Sequence, residues 1–312
     1  MRAFHADVAA PVLPAGHRFP MVKYRLLREA VAQALPQVRI QGAEPAAHEA
    51  LARAHEPAYI AAVQAGTLSV AQLREIGFPW SPGMAERARR SVGATIQASR
   101  AALDDGVAAN LAGGTHHASA AAGGGFCVFN DIAVAARCMQ AEAALRDPRP
   151  LNVAVIDLDV HQGNGTAAIF ADDPSVFTLS LHGAKNFPFR KVASDLDVDL
   201  PDGCDDAAYL VALDAALDAL WTKHEARHGA LPGLIYYQAG ADVLAADRLG
   251  RLDLTPDGVA ERDRRVFAAA RERGIPLVLT MGGGYADPIE ATVAVQLQTL
   301  REACAAWLAW RP

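Results

Sequence analysis

Three clusters in this chain have the residue types and spacing that metal-assisted hydrolysis requires. The first is Asp157-Leu158-Asp159-Val160-His161, at the close of an apolar run. In extended backbone, side chains at i and i+2 share a face, so Asp157, Asp159 and His161 point the same way. A carboxylate, an imidazole and one more carboxylate make a three-ligand site with an open position, which is what a catalytic zinc needs for water or substrate. Asp242, in Gln238-Ala239-Gly240-Ala241-Asp242, is the natural third ligand, because it follows another apolar run and Gly240 permits close backbone approach. An isolated Asp-x-Asp is more often a turn or a helix cap. The longer run, continuing into Gln162-Gly163-Asn164-Gly165, shifts the balance to a metal.

The second cluster is His116-His117, after Gly113-Gly114-Thr115. A turn can converge two adjacent imidazoles, and beside an activated water they can divide the base and acid duties. Each needs an orienting partner for its other nitrogen, and Asp157 and Asn164 are the polar candidates on the metal loop. A carboxylate partner raises a histidine's pKa far more than an amide does, so the pair can be held at different proton affinities. The third cluster is Met281-Gly282-Gly283-Gly284-Tyr285. It lacks the lysine of a phosphate loop, while a tyrosine hydroxyl on such a turn can donate to a developing oxyanion. A further glycine run leads into Phe126 and Cys127. Phe126 could wall a slot; Cys127 reads as a nucleophile or, more commonly, as a buried inert thiol.

These residues need a frame. Apolar runs at Val107–Leu111, Val153–Leu158, Val176–Leu181, Leu234–Gln238 and Pro276–Met281 read as strands. Helical patterns lie between and before them, at 84–104, Ile132–Leu145, Ala207–Trp221 and Val259–Arg273. Residues 21–35 place Val22, Leu26, Leu27, Ala30, Val31 and Ala34 on one helical face, and 45–65 continues as helix interrupted by Pro57. Continuous apolar strands alternating with helices imply an α/β fold: a central, mostly parallel sheet covered on both faces. In such sheets the site lies beyond the carboxyl ends of the strands. His116, Asp157 to His161, Asp242 and Tyr285 all follow strand ends. Because they must converge, no domain boundary falls between them, and residues 1–312 read as one catalytic domain.

Composition sets the outer bounds. Of 312 residues, 52% are hydrophobic, which is ample for a large core, and the net charge of −6 argues against a general nucleic-acid binder. Four cysteines without C-x-x-C spacing fit a reducing cytoplasm rather than a disulfide framework. No apolar leader is evident in the first sixteen residues and no run is long enough to span a membrane.

Taken together, the segments resemble the histone deacetylase superfamily, with its arginase/deacetylase fold. The matching segments are His17-Arg18-Phe19-Pro20-Met21, His55-Glu56-Pro57-Ala58-Tyr59-Ile60, Gly114-Thr115-His116-His117, Gly124 to Asp131, Asp157 to Gly165, Leu249-Gly250-Arg251-Leu252 with Leu254-Thr255, and Gly282 to Tyr285. The stretch His182 to Phe189 looks most like the short bacterial members related to class IV deacetylases. The resemblance implies one Zn²⁺ per chain, bound by Asp159, His161 and Asp242. It implies His117 as general base, His116 facing Asp157 as its electrostatic partner or proton donor, and Tyr285 on the oxyanion. Gly125 would offer its carbonyl to the substrate N–H, with Phe126 and Phe187 flanking an acyl-lysine tunnel. Structural K⁺ or Na⁺ ions are also implied: Asp157, Asp159, His161, Ser180 and Leu181 match an inner site, and Phe170, Asp173 and Val176 match part of an outer one.

Two departures bear on this. Asn164 stands where many class I members carry Asp, which makes His117 the less basic histidine. Asp242-Val243-Leu244 replaces a frequent Asp-Ala-His, keeping the ligand but changing the neighbouring surface. The implied activity is zinc-dependent removal of an acetyl or longer acyl group from a lysine side chain on a protein or peptide. The alternatives are an acetylpolyamine deacetylase acting on a small acylated amine, and a non-catalytic acyl-lysine binder. A binuclear manganese hydrolase of the same fold would need a further aspartate where Gly163 stands. Acyl-chain length and oligomeric state are left open by the sequence.

Overall fold

The computed structural model describes residues 1–7, 11, 13–14 and 16–310. The leader reading of residues 1–16 therefore falls partly outside the described residues. Eight strands form one sheet: β1 (Arg2–His5), β2 (Arg39–Gly42), β3 (Val107–Asn110), β4 (Val153–Asp157), β5 (Val176–Gly183), β6 (Leu196–Leu200), β7 (Leu234–Gly240) and β8 (Leu277–Gly282). Their order across the sheet is β2-β1-β3-β8-β7-β4-β5-β6, and every pairing is parallel.

Ten helices complete the described chain: α1 (Val22–Ala34), α2 (His48–Leu51), α3 (Pro57–Ala65), α4 (Val70–Ile76), α5 (Pro82–Asp105), α6 (Asp131–Ala144), α7 (Asn164–Phe170), α8 (Asp206–His228), α9 (Pro256–Glu272) and α10 (Glu290–Ala309). Two apolar layers sandwich the sheet. Ala154, Ile156, Ile235 and Tyr237 join one layer with α1, α8, α9 and α10, while Val153, Val155, Leu234 and Tyr236 join the other with α3, α5 and α6. This period-two division, with both faces buried, is why the central strands read as unbroken apolar runs.

Several sequence expectations change. The edge strands β2 and β6, and the four-residue β1 inside β2, do not appear among the expected runs; β2 is mostly exposed and β6 alternates exposed Asp with apolar residues, so neither edge carries a continuous apolar signal. The region 45–65 is two helices, with Pro57 starting the second, where its missing N–H costs nothing. Helix α1 buries Lys23, Leu27 and Val31, whereas Val22 and Ala34 are exposed. The buried stripe is thus a strict i, i+4, i+8 line with a lysine at its head.

The order of the sheet decides where the site forms. Strands β3 and β4 are consecutive in the chain but separated in the sheet by β8 and β7. The chain turns opposite ways on either side of this gap, which opens a crevice at the carboxyl ends of the four central strands.

Candidate active site

Each of those four strands ends in one piece of the site. The loop after β3 carries His116 and His117, β8 runs into Tyr285, β7 leads to Asp242, and β4 leads to Asp159 and His161. One ligand atom from each of Asp159, His161 and Asp242 lies within 4.8 Å of the others. Asp159 Oδ1 accepts from His161 Nδ1 at 3.0 Å, and Asp242 Oδ2 lies 3.2 Å from the same nitrogen. Asp242 Oδ1 is occupied by the Val160 N–H at 3.1 Å, whereas its Oδ2 is buried without a hydrogen-bond partner. The room is made by glycines: a Cβ at Gly283 would fall 2.0 Å from Asp242 Oδ2, and one at Gly282 would fall 2.8 Å from Asp159 Oδ2. Two buried carboxylates crowd one imidazole. Burial works against charge on His161, but Asp159 and Asp242 outweigh it and hold the ring up at about 10. Burial and the neighbouring Asp159 push Asp242 up to about 6. A buried Asp-His-Asp set with an unsatisfied carboxylate oxygen fits a divalent cation of the zinc type.

The structure separates Asp157 from this trio. Its Oδ2 accepts from His116 Nδ1 at 2.6 Å, and its Oδ1 takes the Asp159 N–H. His117 Nδ1 donates to Asn164 Oδ1 at 2.7 Å. The two imidazoles sit 4.1 Å apart, centre to centre. Burial would lower both, yet the charges of Asp157 and Asp159 raise His116 above its ordinary value. Burial, with His116 and His161 adding to it, takes His117 well below. Tyr285 lines the same inner cavity as both histidines and all three candidate ligands. Burial pushes its hydroxyl well above the usual range, so it stays protonated and able to donate.

Gly125 and Phe126 form the rim beside His117; a Cβ on Gly125 would come within 2.4 Å of the His117 ring. Phe126 has a positive φ of 65°, rare for a bulky residue. Phe187 stands edge-on to His117 at 4.9 Å and lines the same outer cavity as Phe126. Cys127 is buried, and burial pushes its thiol up, which makes it the inert kind. A Cβ at Gly163 would meet Asp157 Oδ2 at 2.3 Å, so no further ligand fits there.

Ser180 sits on β5 directly beside Asp157 in register, and its hydroxyl pairs with His182 Nδ1 at 2.9 Å; Leu181 follows it in the buried strand. Farther out, Phe170 and Val176 are buried, while the Asp173 carboxylate is engaged by Ser175 and Arg137.

A second layer of residues fixes these parts, and the sequence reading did not single them out for it. Asp131 accepts from Thr115 N, Thr115 Oγ1 and Gly114 N, which pins the turn that presents the histidines. His55 Nε2 accepts the Asn130 N–H, and Asn130 holds Ala118 O at 3.1 Å. Asp247 accepts the Tyr285 N–H at 2.5 Å. Lys23 donates to Gly283 O and Gly284 O and lies over the Tyr285 ring. Arg262, fully buried, donates to Leu158 O at 3.3 Å and Gly240 O at 2.7 Å, tying together the two strand ends that bear the candidate ligands. Its charge is met by Asp263, which also accepts from Tyr237 and Thr299. The available signal was a charge in an apolar register: Arg262 and Asp263 share a face with Val259, Val266 and Phe267, as Lys23 does with Leu27 and Val31.

The profile of the histone deacetylase domain matches residues 17–300. An uncharacterized protein of Picosynechococcus sp. is 41% identical over 292 residues, covering 93% of both chains. Histone deacetylase 2 of Arabidopsis thaliana is 39% identical over 68% of this chain, and polyamine deacetylase HDAC10 of Mus musculus is 31% identical over 82% of it. The matches take in 53% and 40% of those two longer proteins. Among solved structures, an HDAC homologue from Aquifex aeolicus superposes with a TM-score of 0.79 at 23% identity, covering 97% of this chain and 84% of that one. An HDAC homologue complexed with SAHA gives 0.78 at 24%, with the same coverage. These two likenesses are of fold.

Proposed function

The chain belongs to the histone deacetylase family, and from that premise we propose that it is a zinc-dependent hydrolase that removes an acyl group from an N-acylated lysine side chain. The observation that carries this reading is the convergence of Asp159, His161 and Asp242 on one buried point, with His117 and Tyr285 lining the same cavity.

Asp159, His161 and Asp242 would hold Zn²⁺, which when bound supplies Lewis acidity to the attacking water and the scissile carbonyl. Everything else falls to the chain's own groups. His117 keeps its Nδ1 proton and donates it in a hydrogen bond to Asn164 Oδ1, so Nε2 has a free lone pair and takes the proton of the water. Having taken it, the same nitrogen returns it to the departing lysine amine. His116, donating to Asp157 and facing Asp159, acts as a fixed electrostatic partner that confines the proton traffic to His117. The Tyr285 hydroxyl donates to the oxyanion of the tetrahedral intermediate. Lys23 and Asp247 hold its backbone in place beforehand, so little reorganisation is needed as charge develops. Gly125 O accepts the amide N–H of the substrate, and Phe126 and Phe187 exclude water from the lysine stem. Buried structural K⁺ or Na⁺ near Asp157 and Ser180, and action in the cytoplasm, belong to the same reading.

The test is turnover of acetyl-lysine and longer acyl-lysine peptides by the wild-type protein and by Tyr285→Phe. Loss of one oxyanion donor should cost about 10²–10³ in kcat with metal content unchanged. Near-full activity in the variant would remove the assignment.

A further inference from the structure

We propose that the entrance to this cavity selects an acyl-lysine carried in an acidic stretch of polypeptide; the inference rests on the acyl-lysine reading above and names its substrate class more closely. The inner site opens into an outer cavity of about 380 Å³ whose floor includes His117, His161 and Tyr285. Its walls are aromatic: Phe187 is 38% exposed and Phe189 is 86% exposed. Its rim carries Arg18, Lys185 and Arg251, and among the described residues no Asp or Glu lines it.

In a chain of net charge −6, that local sign is the reverse of the whole. Lys185 and Arg251 both reach for a single carboxylate, Asp202, at 3.5 and 3.3 Å, so one of the two charges is uncompensated. Arg18 is exposed and adds another. The Lys191 ammonium, behind Asn186, donates to the carbonyls of Asn186 and Pro188 and feels the charges of Asp197 and Asp199, so it adds little to the rim. Arg248, nearby, donates to Tyr285 O and has Asp287 4.0 Å away, so it is closer to balanced.

An extended peptide advances about 3.3 Å per residue, so the two positions on either side of the acyl-lysine lie within a Debye length of about 8 Å. Carboxylates at these positions would be attracted and ammonium groups repelled. A polyamine keeps cationic nitrogens beyond its acylated end and would meet the rim with like charge. The exposed Phe187 and Phe189 rings suit the apolar stem and backbone between those charges.

The experiment uses matched acetyl-lysine peptides with Glu, Gln or Lys at the two positions on each side, together with a monoacetylated polyamine. Dissociation constants by fluorescence anisotropy and kcat/KM would be read at low and high salt. Acidic peptides should bind about tenfold more tightly than basic ones at low salt, through lower Kd and KM rather than higher kcat, and added salt should shrink the gap. The triple variant Arg18→Gln/Lys185→Gln/Arg251→Gln should bring the three peptides together. Equal affinity for all peptides at low salt, or a preference for the polyamine, would overturn the inference. Charge-dependent binding without hydrolysis of any substrate would uphold it and sink the hydrolase reading instead.

Discussion

The floor of the cavity and its mouth are built on opposite plans. At the floor, Asp157, Asp159, Asp242 and Arg262 are charged groups with 3% exposure or less. Almost every polar atom there is committed to another: His116 to Asp157, His117 to Asn164, Arg262 to two carbonyls and Asp263. At the mouth, Lys185, Arg251 and Phe189 stand in solvent and share few partners. Burial makes an unpaired charge costly, so the floor tolerates only one arrangement. Exposure makes the mouth's groups individually weak and easy to change. The chemistry is therefore lodged where geometry is over-determined, and substrate choice where it is not.

Arg262 tests this division most severely. It touches no candidate ligand, yet it joins the strand ends that present Asp159 and Asp242. Arg262→Met should weaken zinc binding by about 10–100-fold, as loss of an outer-layer partner does. It should also destabilise the fold by about 3–5 kcal/mol, because Asp263 is left buried without its counter-charge, held only by Tyr237 and Thr299. The double variant Arg262→Met/Asp263→Leu should recover much of the stability but not the zinc affinity. Unchanged zinc affinity in that double variant would show that the floor does not depend on this tie.

The brace beneath the histidine loop gives a smaller, pH-dependent effect. Burial holds His55 down at about 4, against an ordinary value of 6.5. Between those values the unfolded chain takes up a proton that the folded chain refuses. The stability His55 contributes is thus whole above pH 6.5 and falls as pH drops toward 4. The loss between pH 6.5 and 4.5 is about 2–3 kcal/mol at 1.36 kcal/mol per unit. Urea midpoints across that range should fall less steeply for His55→Gln, and parallel curves would contradict the assignment. The smallest effects belong to the mouth, where the charge variants above should alter substrate preference several-fold and leave the floor's zinc affinity untouched.

The same division governs what could be read from the sequence. The convergence of Asp159, His161 and Asp242 was legible because central parallel strands deliver their ends to one place, whereas strand periodicity misplaced Asp157, since β4 stops there and the carboxylate turns to His116. The four central strands were legible as apolar runs, and the edge strands β2 and β6 were not, since an exposed strand has no such signature. Lys23, Asp247 and Arg262 escaped notice because each acts across the fold on a backbone atom far away in sequence, such as Lys23 on Gly283. The mouth's charge balance was hidden for a different reason. Arg18, Lys185 and Arg251 come from three separate loops, and the net charge of −6 points the other way.

The central claim is a single zinc centre that performs acyl-lysine hydrolysis. Its most direct test is to strip the protein with a chelator and titrate Zn²⁺ back while following hydrolysis of an acetyl-lysine peptide. The account predicts that activity returns and saturates at one Zn²⁺ per chain. Saturation at two metal ions per chain, or full activity in the stripped protein, would contradict it.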